Sequence, residues 1–279
     1  VKLVNIKGDI DLQSKNSLSI LITPDGLSYS IYDIENNKIQ ALVSKQFADN
    51  ENKCDKIRQI LTEEEDIAPT QFDNVNIVYA TKSVTIVPDA IFEESQAESI
   101  FALNRRIADD EVIQYSKLPK SQTVIIFSVK KEIINLLNSL FVKYSIFPQS
   151  HSFIESGLTR TKISEKPNRQ RMFVQIFEDF FEVLVIDKAQ IANYNTYSYK
   201  SPNDILYFIV NTFEQLGLSQ EDCEVVLSGF IEPDNLAIVH LKKFVRTAYF
   251  ESINMDFKYF YRFQEFAPHY FYNFLNINL

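Results

Sequence analysis

The residues of this chain that could do chemistry are few and widely spaced. Asp25 sits in the turn Thr23-Pro24-Asp25-Gly26-Leu27-Ser28, and Asp179 in the turn Phe177-Glu178-Asp179-Phe180-Phe181, each between two apolar runs. Aspartate in such a turn bonds its own backbone readily, so the first role expected of both is to close a hairpin. A phosphate cradle asks for something else. Successive backbone N–H groups must converge with no Cβ atoms in the way, often at positive φ, and that calls for glycine. The whole chain has 5 glycines, and neither turn has the run it would need. His151, His240 and His269 fall in no metal-ligand spacing, and Cys54 and Cys223 are far apart, so no metal site is assigned. Gly-x-Ser-x-Gly is absent, and no catalytic residue is assigned either.

The elements that must position these residues come as a pattern used twice, at residues 17–47 and 171–199. Each copy reads as an apolar strand, a tight acidic turn, a second strand ending at Asp33 or Asp187, a polar turn and a third strand. Such internal repetition fixes architecture before any residue is interpreted. Asp-Gly at 25–26 is a strong hairpin signal. In the first half, helical spacing follows at 53–65 and 130–144, with strands at 75–79, 84–87, 112–118, 123–129 and 145–147. A helix starting at Asp89 as N-cap and another at 149–158 complete that half. In the second half, Ser201-Pro202 starts a helix and Gly217 ends it. A buried strand then runs to Ser228-Gly229, followed by a helix at 233–244 and a strand at 245–250. Residues 159–171, with five basic residues and one acid, read as a basic linker and solvated boundary. The expected division is 1–158, the linker 159–171, and 172–279, with the C-terminal helix free to pack back on the first half. Residues 257–274 are crowded with Phe and Tyr, which suits core packing or a protein-contact surface better than base stacking.

Composition narrows the function classes. With 279 residues, 46% hydrophobic and 23% charged, the chain can bury two cores. A net charge of −9 disfavours nucleic acid as a partner. No run reaches the length of a membrane helix, and the first seventeen residues have no apolar signal-peptide core. With two isolated cysteines, a reducing cytoplasm is the expected compartment.

Three antiparallel strands, a helix, a strand, a helix and a further strand, used twice, resemble the actin, Hsp70 and sugar-kinase superfamily. The stretches LSILITPDGLSYSIYD (18–33) and EVVLSGFIEPDNL (224–236) carry the resemblance. The chain is most similar to a bacterial family of this length, a domain of unknown function with an actin-like ATPase fold. More distantly it resembles the actin-like proteins of pilus assembly and cell division. The fold class implied is α/β, a duplicated ribonuclease-H-like fold in which each half has a mixed five-stranded sheet and flanking helices. The resemblance also implies a nucleotide site. Asp25 and Gly26 would belong to the first phosphate loop, Asp179 to the second, and Ser228 and Gly229 to the adenosine motif. The superfamily's pattern is broken at each. Glycine follows Asp25 directly instead of two residues on, Glu178-Asp179-Phe180-Phe181 has none, and Ser228-Gly229-Phe230 lacks the glycine pair.

The expectation is therefore an actin-like protein with a degenerate nucleotide site and no cofactor, working through a protein partner as an interaction or scaffold module. The alternative is a divergent ATPase or small-molecule kinase holding ATP and magnesium. A metal-dependent nuclease ranks last, because only Asp25 has an obvious place in such a site.

Overall fold

The computed structural model describes residues 4–8, 10, 14–48, 52–67 and 72–278. A short strand β1 (Val4–Lys7) precedes the hairpin β2 (Asn16–Thr23) and β3 (Gly26–Asp33), then β4 (Lys38–Gln46), helix α1 (Lys53–Glu63) and β5 (Asn74–Tyr79). Next come β6 (Val84–Pro88), α2 (Ala97–Ala102), β7 (Glu111–Leu118), β8 (Thr123–Lys130), α3 (Lys131–Leu140), β9 (Ser145–Pro148) and α4 (Ser150–Ile163). The second half runs β10 (Arg171–Ile176), β11 (Phe180–Asp187), β12 (Gln190–Ser198), α5 (Pro202–Leu216), β13 (Glu224–Gly229), α6 (Leu236–Phe244) and β14 (Thr247–Phe250). A two-residue strand β15 (Lys258–Tyr259) and a short helix α7 (Tyr272–Leu275) close the described chain.

The duplication is complete in strand order. The first sheet contains β4-β3-β2-β5-β9 and the second is β12-β11-β10-β13-β14. In each, the first three strands pair antiparallel and the last two join in parallel. Even the irregularity repeats. The register shifts between Ile31 and Tyr32 in β3 and between Val185 and Ile186 in β11, the sixth and seventh residues of both strands. The first sheet is wider than the expected five strands, with β1 and β15 added alongside β4. Strands β6, β8 and β7 form a separate three-stranded sheet.

Turn chemistry shows how a glycine-poor chain manages its bends. Thr23 pairs with Gly26, so the two-residue turn is Pro24-Asp25 and Gly26 already belongs to β3. Among the described residues, Asn37, Gln122, Lys188 and Ala189 take positive φ without being glycine. Asp33 holds its turn by accepting from the Asn36 backbone N–H (2.9 Å), Asn36 Nδ2 (2.8 Å) and Gln40 Nε2 (3.0 Å). These bonds keep its carboxyl below the usual range although burial works against them. Helix α5 starts as its sequence asks, with the Ser201 N–H donating to the Asp204 carboxylate at 2.9 Å, and ends on Gly217 at φ 61°.

Several helices differ from the sequence-based expectation: α1 ends at Glu63, two residues early, and α6 begins at Leu236, three residues late. Residues 89–91 and 94–96 make only single 3-10 turns, with Pro88 in the capping position expected of Asp89, before α2 begins. Helix α3 ends at Leu140 because Phe141 turns extended and buries its ring. Helix α4 continues to Ile163, five residues into the segment read as a linker. Within that segment Thr161 and Arg171 are buried, so it is not a solvated connector throughout.

Two layers of helix position the halves. Helices α5 and α6 cover one face of the second sheet, around Phe181, Val183, Ile209 and Ile238. Helix α4 covers the other face, and Gly157 lets it approach: a Cβ there would stand 3.0 Å from Leu184 Cδ2. In the first sheet one face packs with α1, α3 and α4. Leu21, Ile39, Leu42 and Val78 on the opposite face are covered by the aromatic segment at residues 257–278.

Candidate functional site

The charges of both acidic turns act on one residue, Tyr199. Asp25 is half-buried, whereas Glu178 and Asp179 are exposed at the end of the β10–β11 hairpin. Tyr199, just beyond β12, clamps the second turn. Its hydroxyl donates to the Phe177 carbonyl at 2.6 Å and its N–H to the Asp179 carbonyl at 3.2 Å. Burial, followed by the charges of Glu178, Asp179 and Asp25, pushes that hydroxyl up to about 12. The three carboxylates are thus near enough to act on one phenol. Lys82 Nζ stands 4.0 Å from the Asp179 carboxylate and donates to Ser198 Oγ at 3.0 Å.

Strand alternation separates the rings of the second turn. Phe181 points into the core under α5, near Tyr197 and Phe208. Phe177 and Phe180 point the other way and stack on each other, centroids 4.7 Å apart. They join Leu21, Val78, Ala80, Phe271 and Phe274 in a cluster that draws on both halves and the C-terminal segment. Two backbone donors here are already used: Phe177 N–H bonds the Phe180 carbonyl at 2.9 Å, and Phe230 N–H the Ile176 carbonyl at 2.7 Å.

Ser228 and Gly229 end β13 against β10. Gly229 has φ +87°, and a Cβ on it would stand 2.1 Å from the Ile176 carbonyl oxygen. Close approach of two strands therefore accounts for this glycine without a ligand. The region beside it is taken by the tail. Asn273 Nδ2 donates to Gln175 Oε1 at 2.5 Å and to Ser228 Oγ at 3.0 Å. His269 Nε2 lies 3.0 Å from the Ile231 carbonyl, and Tyr270 donates to Glu232 at 2.7 Å. The space left between Gln149, Gln175, Gly229 and Asn273 is about 10 Å³, room for a single water at most.

The halves are also tied by a buried polar link absent from the sequence reading. Gln149 exchanges hydrogen bonds with the Thr81 backbone (2.9 and 2.8 Å) and donates to Glu182 Oε1 at 2.9 Å. Tyr194 donates to the same oxygen at 2.5 Å, while Glu182 Oε2 has no partner. Burial pushes the Glu182 carboxyl up to about 8 despite these two donors. His151, half-buried beside Ser116 Oγ (2.7 Å), is pushed down to about 4 by burial and then by Lys120. Among the described residues no group of three His, Cys, Asp or Glu is arranged to hold a metal ion. Nothing local in the sequence marks Gln149, Glu182 or Asn273; only the aromatic richness around Asn273 drew attention to its segment.

The site residues read from sequence therefore divide. The charges of Asp25 and Asp179 both act on Tyr199, Gly26 lies within a strand, and Ser228 accepts from the chain's own tail beside Gly229. A family model described as a protein of unknown function (DUF3822) matches residues 6–248. Among solved structures, a Bacteroides thetaiotaomicron VPI-5482 protein with an actin-like ATPase fold and unknown function superposes with a TM-score of 0.83. It is 24% identical, over 97% of this chain and 99% of that one. The PilM–PilN type IV pilus biogenesis complex matches with a TM-score of 0.64 at 13% identity, over 94% and 97% of the two chains. No curated protein matches significantly. The fold is that of the actin-like ATPases, as the duplicated pattern led us to expect.

Proposed function

We propose, from the premise that this chain belongs to the DUF3822 family, that it is a non-catalytic actin-like protein acting by protein–protein contact, its nucleotide cleft closed by its own C-terminal segment. One observation carries this reading: Asn273 and the rings of Phe271 and Phe274 stand where Gln175, Ser228 and Gly229 would meet a nucleotide. A small-molecule pocket needs roughly 300 Å³ or more, against the 10 Å³ left here. The turns do not fit a triphosphate with magnesium either. Neither turn has the glycines that let successive N–H groups converge on a phosphate, and Glu178 and Asp179 would set negative charge against the phosphates.

Support for a protein partner comes from large apolar side chains left in solvent, Ile91 (68% exposed) and Leu103 (82%) beside the three-stranded sheet. PilM, whose fold is similar, is found in a complex with PilN. No described helix is long and apolar enough to cross a membrane. Isothermal calorimetry with Mg-ATP tests the central claim, and no binding at millimolar nucleotide is expected. Micromolar binding that Asp25→Ala abolishes would overturn it.

The second reading, a divergent ATPase or small-molecule kinase, has in its favour that the charges of Glu178, Asp179 and Asp25 all act on Tyr199. ATP turnover above that of an Asp179→Ala control would establish it.

A further inference from the structure

The duplicated sheets differ at one edge. In the first sheet the outer side of β4 is covered: β1 pairs antiparallel with residues 41–44, and β15 pairs with 38–39. Residues 39–44 of β4 are accordingly buried. The counterpart in the second sheet is β12, which has β11 on one side and no strand on the other. None of its nine residues is buried, and Gln190, Ala192, Asn195 and Ser198 are exposed. Among the described residues no backbone hydrogen bond outside the β11 ladder reaches 190–198. Lys82 and Arg105 of the first half bond the side chains of Thr196 and Ser198, not the strand's backbone.

A free strand edge is a row of unpaired N–H and C=O groups, and proteins usually blunt it with charge or proline. Residues 190–198, QIANYNTYS, have neither. One blunting device is present, a bulge, because Ala192 is skipped in the register with β11. Gln40 is skipped in β4 in the same way, and β1 docks directly after it. The equivalent stretch of β12 is the regular run 193–198. Phe208 of α5 stacks on Tyr197 with centroids 4.4 Å apart, and Tyr207, edge-on to Phe208, is 64% exposed. Aromatic surface left in solvent is thus linked to the bare strand by a single ring.

We propose that a second copy of this chain pairs its own β12 with this edge, antiparallel about a two-fold axis. Such an axis exchanges the members of every opposed pair, so it passes where one residue faces itself. Asn195, exposed and midway along the regular run, is that residue. Tyr194 then lies opposite Thr196, and Asn193 opposite Tyr197. Every opposed pair is uncharged, which suits two copies that each carry −9. The proposal does not rest on the reading of the cleft. Sedimentation velocity of the full chain over a range of concentrations tests it, and a dimer that grows with concentration is expected. Asn195→Lys sets like charges opposite each other at the axis and weakens the dimer severalfold, as does Asn195→Asp. Mixing the two variants restores it, because opposite charges then meet. A wild type that stays monomeric at high micromolar concentration, a dimer unchanged by both substitutions, or a mixture no better than either variant alone overturns the proposal. Unchanged thermal melting of both variants keeps the test independent of folding.

Discussion

Replacing Glu182 by glutamine removes one proton-linked stability term, whose size follows from the burial described above. The native carboxyl titrates at about 8, against an ordinary value of 4.5. Below pH 4.5 both states hold the proton. Between 4.5 and 8 only the native state keeps it, so the native state binds more protons and stability falls as pH rises, by roughly 1.4 kcal/mol per unit. Above 8 the loss is complete. His151 runs the other way. Held neutral at about 4 against an ordinary 6.5, it makes the unfolded chain bind the extra proton, so stability rises with pH from 4 to 6.5. The two slopes oppose each other up to pH 6.5 and leave a window from 6.5 to 8 for Glu182 alone.

Across that window the wild type should lose about 2 kcal/mol. Urea denaturation at pH 6.5 and 8 measures it directly. Glu182→Gln should be flat to within a few tenths of a kcal/mol. Its amide still accepts from Gln149 and Tyr194, and its NH₂, placed where Oε2 has no partner, costs a constant amount of about 1–3 kcal/mol. The slope is therefore the quantity to compare. A variant that loses as much stability as the wild type, or a wild type that loses none, would refute the assignment.

Gly229→Ala should destabilise by more than about 3 kcal/mol, since its Cβ would stand 2.1 Å from the Ile176 carbonyl oxygen at positive φ; chemical denaturation measures this. Phe271→Ala, at a fully buried position, should cost about 3–5 kcal/mol in the same assay, and calorimetry should still find no Mg-ATP binding. Neutralising the second turn with Glu178→Gln and Asp179→Asn should lower the Tyr199 titration from about 12, read by ultraviolet absorbance. It should stay above 10, because burial is the larger cause.

The strand order was legible because its signals are local. Alternation over 18–22 and 28–32, the acidic turns and the Ser201 and Gly217 caps each act within a few residues, and duplication repeats them. What filled the cleft was not legible. Asn273 reaches Gln175 and Ser228 across most of the second half, and no periodicity encodes such a pairing. The richness of 257–274 in rings announced a core without saying which sheet it covers. Gly229 matches a nucleotide motif by position, and the close contact with Ile176 that also requires a glycine there is one that no local pattern announces. The three-stranded unit was read strand by strand, but its separation from the main sheet depends on packing that sequence spacing does not carry.

The covering of the first sheet by residues 257–278 sets an order of events during translation. Leu21, Leu42 and Val78 leave the ribosome early, whereas Phe263, Phe271 and Phe274, which cover them, arrive last. At roughly 5–20 residues per second, the gap is on the order of ten to forty seconds. For that interval the nascent first half presents a bare apolar face, and slower elongation lengthens its exposure. Synonymous codon changes that alter elongation speed after residue 80 should therefore change the yield of folded protein without altering a single side chain.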